Sequence, residues 1–146
     1  MLRRIKPVAL LLALALLVGG CTQGGSDSAD DFEGEQKAVA EVIDDLSRAA
    51  SRADGTEICE DIYSDSYAKA IAARDARRSC GEVIEEALDD TDRTKMTVKR
   101  VTVAGSRATA VVESEVDDET RTDTFTLTRE TTGSPPAAEW RIAGIS

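Results

Sequence analysis

The side chains that most often do chemistry in proteins are scarce in this chain of 146 residues. It has no histidine and no asparagine, three cysteines, two tyrosines and 28 acidic residues. Without histidine it lacks the commonest general base, the commonest metal ligand and the base of a serine triad. A cysteine nucleophile would likewise lack a base and an orienting residue. We therefore expect no catalytic residue, no bound metal and no cofactor.

Two runs of carboxylates are dense enough to hold a hard cation loosely. Asp117-Asp118-Glu119 and Asp89-Asp90-Thr91-Asp92 both lack the D-x-D-x-D-G loop and the glutamate at its twelfth position. We interpret both runs as solvated charge. A glycosidase-like pair of acids could be assembled from so many carboxylates, but aromatic residues make up 3% of the chain and leave little to stack against a sugar.

The first 21 residues have the organisation of an export signal. A basic leader precedes an unbroken apolar run over residues 8–18, and Val18-Gly19-Gly20-Cys21 follows. The run is shorter than the roughly 20 residues that cross a bilayer, but it has the length of a signal-peptide core. In these residues the chain resembles a bacterial lipoprotein precursor, which implies cleavage before Cys21 and attachment of lipid to its thiol. Ordinary secretory cleavage and retention as a membrane anchor are the alternatives.

The chain beyond the predicted cleavage site is strongly acidic. Removing residues 1–20 takes away three basic residues and no acidic one, which leaves 15 basic against 28 acidic residues and a formal charge of −13. Nucleic acid and anionic headgroups would repel such a surface. Residues 21–34 read as the lipidated cysteine and a flexible acidic tether, and residues 35–146 as one domain. We expect that domain at the extracytoplasmic face of the cell membrane, anchored by lipid.

With Cys21 lipidated, Cys59 and Cys80 remain as an even pair in an oxidising compartment, where a disulfide is the default expectation. Closing a loop of about 20 residues would stabilise the fold by roughly 3 kcal/mol in the chain-entropy model. Two separate buried thiols are the alternative.

Apolar residues at helical spacing predict a long helix over about residues 31–53. Asp54-Gly55-Thr56-Glu57 then offers a glycine to end that helix and an acidic cap to begin the next. A short helix through residues 58–63 and another over residues 67–76 follow. Ser79-Cys80-Gly81-Glu82 is a capping box that begins the last helix, whose buried stripe is predicted to contain Val83, Ile84, Ala87 and Leu88.

After residue 92 the apolar period changes from 3.6 to 2, and β-branched residues dominate. Four strands are predicted: Met96 to Val103, Ala108 to Val116, Arg121 to Arg129 and Glu139 to Ile145. Their short connections imply an antiparallel meander with one face on helices and the other in solvent. The inner face is predicted to carry Ala108, Ala110, Val112, Phe125, Leu127, Trp140 and Ile142. The outer face is predicted to carry Thr122, Thr124, Thr126, Thr128 and Arg141.

This α+β order of elements, the hairpin over residues 104–110 and the terminal Glu139-Trp140-Arg141-Ile142 resemble the nuclear transport factor 2-like superfamily. Its fold is a curved sheet that wraps a long N-terminal helix to form a cone. Small actinobacterial lipoproteins of this shape are also similar, with one cysteine in the second helix and another before the third. A cystatin-like arrangement, which usually has one helix fewer, is the alternative.

Members of that superfamily that resemble ketosteroid isomerase or polyketide cyclases use an aspartate or histidine base inside the cone, with a tyrosine donor. The predicted inner strand positions here are all apolar, so a base is missing where one is needed. Tyr63 and Tyr67 are therefore interpreted as rim or core residues, and Trp140 as a core residue beneath the sheet. If a ligand binds, its candidate contacts are Tyr63, Tyr67, Phe125 and Trp140.

We therefore expect a non-catalytic binding domain whose partner is another envelope protein or a small apolar ligand. An isomerase-like or cyclase-like enzyme and a structural spacer of the cell envelope are the alternatives. An unfilled apolar cavity beneath Trp140 would favour ligand binding, whereas a buried carboxylate of raised pKa in that cavity would favour the enzyme.

Overall fold

The computed structural model describes residues 27–91, 94–133 and 137–146. The predicted signal peptide and Cys21 lie outside these residues. Helices come first and strands follow: α1 (Gly34–Ser51), α2 (Gly55–Glu57), α3 (Asp65–Ala72), α4 (Cys80–Asp89), β1 (Thr94–Ala104), β2 (Arg107–Val116), β3 (Glu119–Thr132) and β4 (Ala137–Ile145). The strands form one antiparallel sheet in the order β1-β2-β3-β4. The predicted α+β class and meander are confirmed.

Helix α1 is the long helix predicted from the apolar spacing. Val39, Ile43 and Leu46 lie on one face and are buried against the rest of the domain. Ser47 Oγ accepts a hydrogen bond of 3.1 Å from the backbone nitrogen of Met96, which fixes the C-terminal half of the helix to β1. Like the other helices of the described part of the chain, α1 is not long and apolar enough to cross a bilayer.

The folded domain begins before α1, within the segment predicted as a tether. A 3-10 turn covers Ser28–Asp31, and Ser28 and Ala29 are both buried. Ser28 Oγ and the Ala29 nitrogen each donate a hydrogen bond of 2.8 Å to the buried carboxylate of Asp44 on α1. The prediction that a flexible tether reaches residue 34 is therefore wrong in its last part, because a distant acid provides the partners that order this polar segment.

The caps that were predicted for α2 and α4 are present. Asp54 accepts a hydrogen bond of 3.0 Å from the third backbone nitrogen after it, and Ser79 and Glu82 form a reciprocal capping box. Helix α3 stops before its predicted end. It does so because the Asp75 carboxylate accepts a hydrogen bond of 3.0 Å from the nitrogen of Arg77 and turns the chain toward α4.

Helices α2 and α4 approach each other closely enough for their backbones to touch. A Cβ added to Gly55 would lie 2.9 Å from the carbonyl carbon of Gly81, a distance that real side chains do not show. The sequence predicted that Gly55 ends α1, and this prediction is wrong. Ala53 takes the left-handed conformation at the end of α1, with φ of 51°. The predicted disulfide between Cys59 and Cys80 crosses the same contact, with a Cα–Cα distance of 6.0 Å.

A π-helical turn, Ile58–Ile62, continues α2 and brings the chain to the edge of β4. Tyr63 pairs with Ile142 in a short parallel bridge. Arg141 was predicted on the solvent face but is 8% exposed, because this turn covers it. Its Nη1 donates a hydrogen bond of 2.7 Å to the carbonyl of Glu60, so the arginine joins the sheet edge to the helices.

The pairing register explains which side chains face the helices. Val112 of β2 pairs with Val98 of β1 and with Asp123 of β3. The predicted inner residues are each at most 6% exposed, which confirms the alternation: Ala108, Ala110, Val112, Phe125, Leu127, Trp140 and Ile142. The threonines of the outer face of β3 are exposed or half-buried.

Candidate functional site

A cavity of about 640 Å³ opens at the end of the sheet where β1 begins and where β2 turns into β3. One of its walls comes from α1, α4 and the π-helical turn, and the other comes from the four strands. A cavity of this size is within the range that small-molecule sites occupy. It is therefore the candidate functional site of the described residues.

The helical wall of the cavity is apolar and consists of Leu46, Ala50, Ile58, Ile84, Ala87 and Leu88. The α4 stripe was predicted to be buried, but Ile84 and Leu88 are only half-buried and Ala87 is exposed. They remain accessible because α4 faces the open cavity there, rather than lying flat on the sheet. An apolar stripe left partly open to solvent is what a site for an apolar ligand requires.

The wall formed by the strands is mixed in character. Phe125 is apolar and 2% exposed, whereas Ser114, Arg121 and Asp123 also line the cavity. Asp123 lies two residues before Phe125, so the same strand periodicity that turns Phe125 inward also turns Asp123 inward. The prediction that the inner strand positions are all apolar is therefore wrong at this end of the sheet. Asp123 is separated from Phe125 and Leu127 by even numbers of residues, and this alternation is the sequence signal from which its inward position could have been predicted.

An ion pair between Arg121 and Asp123 lies where the cavity meets solvent. Arg121 Nε is 2.7 Å from Asp123 Oδ2. The two side chains differ sharply in exposure, since 13% of the Asp123 side chain is accessible against 76% of Arg121. Asp123 therefore belongs to the wall of the cavity, and Arg121 reaches it from the solvent side.

Tyr63 lines the cavity and is 7% exposed. Burial, and secondly the neighbouring Tyr67, raises the pKa of the Tyr63 hydroxyl. That hydroxyl therefore stays protonated at neutral pH and is able to donate a hydrogen bond. The two rings lie 4.8 Å apart and are tilted by 58°. Tyr67 packs against Tyr63 and is not among the described residues that line the cavity.

Trp140 lies at the opposite end of the sheet, near the β1–β2 hairpin, and not above the cavity. Its Nε1 donates a hydrogen bond of 2.9 Å to Glu35 Oε2, and the guanidinium of Arg129 stacks 4.9 Å from the ring centre. Arg129 also forms an ion pair with Glu35. Of the four residues predicted to contact a ligand, the structure thus brings Tyr63 and Phe125 together in one cavity and leaves Tyr67 and Trp140 outside it.

The carboxylate runs have structural positions in the described part of the chain. Asp117 and Asp118 form the two-residue turn between β2 and β3, with φ of 50° and 66°. Both residues of such a turn take positive φ, which aspartate tolerates better than most residues. Asp89 and Asp90 end α4, and Asp92 lies outside the described residues. No group of three potential metal ligands occurs among the residues that the structure describes.

Comparison with known proteins shows a likeness of fold. A SEC-C motif containing protein from Psychrobacter arcticus, known from a crystal structure, superimposes with a TM-score of 0.56 at 12% sequence identity. The match covers 82% of this chain and 67% of that one. No protein-family model and no curated protein sequence matches the chain. At this level of identity the likeness describes the arrangement of helices and strands and not an activity.

Proposed function

We propose that the domain binds a small, largely apolar molecule in the cavity between α4 and the sheet. The observation that carries this proposal is a cavity of about 640 Å³ beside the apolar stripe of α4, whose residues are partly exposed to solvent. A domain that served only as a spacer would gain stability by covering the apolar stripe of α4 with its own side chains, because burying apolar surface away from water stabilises a fold. Leaving the space open favours a molecule that occupies it.

A neutral fluorescent probe, N-phenyl-1-naphthylamine, tests the proposal. It should bind with saturable enhancement of its fluorescence, at about one molecule per domain. Ala87→Trp places an indole over the cavity from an exposed position and should abolish binding. Ala70→Trp makes the same change on the exposed side of α3 and should leave binding intact. Equal loss of probe binding in both variants, or no binding by the parent domain, would contradict the proposal. The remaining candidate functions would then be a structural spacer and a protein-binding surface.

We also propose that the domain is held at the extracytoplasmic face of the cell membrane as a lipoprotein. The basic leader, the apolar core and Val18-Gly19-Gly20-Cys21 support this; all of them lie outside the described residues. Replacing Cys21 with alanine should abolish incorporation of a labelled fatty acid and disturb cleavage of the signal. Equal labelling of the parent chain and the variant would rule out this anchor.

The finer fold that we propose is the nuclear transport factor 2-like cone. It is supported by the contacts that α1 makes with β1, β2 and β4 and by a cavity at one end of the sheet. Within the described residues, four α-helices precede the first strand, more than the cystatin-like alternative usually has.

An isomerase-like or cyclase-like enzyme is a second candidate function. One observation favours it: Asp123 and Tyr63 line the same cavity, so its walls contain both a carboxyl side chain and a phenol side chain. The carboxylate is engaged by Arg121, which is why we place binding first.

A further inference from the structure

Resting on the proposed binding function, we infer that the molecule in the cavity is an amphipathic amine. Its ammonium group would pair with Asp123, and its apolar body would lie against Ile84 and Leu88 of α4. This assigns Asp123 as the residue that determines which ligand the cavity accepts.

The charge distribution around the cavity supports a cationic head. Among the described residues that line it, Asp117, Glu119 and Asp123 are acidic and Arg121 is the single basic one. All four come from the β2–β3 turn and the start of β3, so the charge is concentrated on one side of the opening. An acidic rim raises the local concentration of cations and disfavours anions.

The exposures of Asp123 and Arg121 show how an amine could be accommodated. A carboxylate that is 13% exposed needs a charged or hydrogen-bonding partner. Arg121 provides one, but its own side chain is 76% exposed, so it would lose little on returning to water. An ammonium entering the cavity can therefore take the place of the guanidinium while Asp123 stays paired throughout.

An anionic head would meet the opposite situation. To reach Arg121 it would have to compete with Asp123, which already holds the guanidinium at 2.7 Å. It would also lie beside Glu119, where like charges repel. The two walls thus favour a molecule with one apolar face or tail and one positively charged nitrogen.

Three probes with the same ten-carbon chain separate these cases: decylammonium, decan-1-ol and decanoate, titrated into the folded domain by calorimetry at about 0.15 M salt. Decylammonium should bind at least about tenfold more tightly than decan-1-ol, the effect of one charge-assisted hydrogen bond, and decanoate should bind most weakly. This preference should persist as salt is raised to about 0.3 M, because a mostly buried pair is screened less than surface charges are.

Variants then assign the preference to Asp123. Asp123→Asn should bring the affinity for decylammonium down to that for decan-1-ol, and Arg121→Gln should raise it because the competing cation is gone. Asp61→Asn removes an exposed acid outside the cavity and should change nothing.

Equal binding of all three probes to the parent domain would overturn the assignment of an amine and leave the cavity as an apolar site. Binding of none of them would overturn the proposed binding function itself. Because the comparison of probes uses the parent protein, it stands even if one of the variants fails to fold.

Discussion

Ser28 Oγ donates a hydrogen bond of 2.8 Å to Asp44 Oδ1 and accepts one of 3.1 Å from the backbone nitrogen of Val98. This one hydroxyl thus connects α1 to the edge strand of the sheet. Asp44 and Ser28 are each 4% exposed, so neither can exchange its partner for water at little cost.

Replacing Asp44 with alanine should destabilise the domain by about 2–4 kcal/mol, because it leaves the Ser28 hydroxyl and the Ala29 nitrogen buried without an acceptor. Urea unfolding followed by circular dichroism measures the change. Asp45→Ala, at the neighbouring and more exposed position, removes an ion pair with Arg48 and should cost less than about 1 kcal/mol. Equal effects would mean that the 3-10 turn is not part of the folded domain.

Gly55→Ala should destabilise the domain by about 1–3 kcal/mol or more, because a methyl group cannot fit between α2 and the backbone of Gly81. Gly144→Ala is the matched control, since a Cβ at that position would meet nothing within 4 Å. Thermal unfolding of the two variants beside the parent protein gives the comparison. A Gly55 variant as stable as the Gly144 variant would show that the helices are free to move apart.

Removal of the disulfide by the double change of Cys59 and Cys80 to alanine should lower stability by about 2–5 kcal/mol. The covalent bond closes a loop between two residues that are 21 positions apart. It restricts the conformations of the unfolded chain more than those of the folded one. Intact mass after alkylation without reductant, measured on protein isolated from cells, reports the redox state of the two cysteines. Two alkylated thiols at Cys59 and Cys80 would show that the bond is not formed in the cell.

Acid should change the surroundings of Trp140 at a pH below the range in which a glutamate carboxyl group usually titrates. Hydrogen bonds from Arg129, and secondly from Trp140, hold the pKa of Glu35 below its usual value of 4.5. Because the folded pKa is lowered, the contribution of Glu35 is complete above about pH 4.5 and is lost as the pH falls through the folded pKa. Trp140 is the single tryptophan of the chain, so its fluorescence follows this step directly.

The midpoint of that fluorescence change should lie below pH 4.5, and Glu35→Gln should abolish it. Glu33→Gln, at an exposed position two residues earlier in the chain, should leave it in place. A midpoint at or above pH 4.5 would mean that Glu35 is not held by these hydrogen bonds in solution.

The enzyme candidate predicts turnover of steroid-like or polyketide-like ketones by the purified domain. If it is right, Asp123→Asn and Tyr63→Phe should each reduce turnover by about 100-fold or more, the usual effect of losing a proton-transfer group. Tyr67→Phe should reduce it far less, because Tyr67 does not line the cavity. If the parent domain shows no turnover of these ketones, or if the three variants retain full activity, the candidate is eliminated.

Local features of the fold could be predicted from the sequence because their causes lie within a few residues. The spacing of Val39 and Ile43 indicated α1, and the Ser79 to Glu82 interval indicated the start of α4. The 3-10 turn could not be predicted in the same way. Its order depends on Asp44, an acid that would ordinarily be expected on the exposed side of a helix, and on contacts across many intervening residues.

The site was only partly predictable for a related reason. Strand parity placed Phe125 inward and, read one step further, would have placed Asp123 there too. Whether the space beside them is open depends on how far α4 stands from the sheet, a distance that no residue pattern contains. Trp140 shows the same difficulty, since its inward position was predicted correctly but the cavity that was considered beneath it lies at the other end of the sheet.

The contact between Gly55 and Gly81 joins α2 to α4 by steric fit, and the bond between Cys59 and Cys80 joins the π-helical turn that continues α2 to the same helix α4 covalently. Each constrains residue identity at its own position more strongly than an apolar contact does, because a buried valine or isoleucine is readily exchanged. We therefore expect a chain that keeps this helix contact to keep a glycine and a cysteine four residues apart, as at Gly55 and Cys59, and a second cysteine where the facing helix begins, as at Cys80.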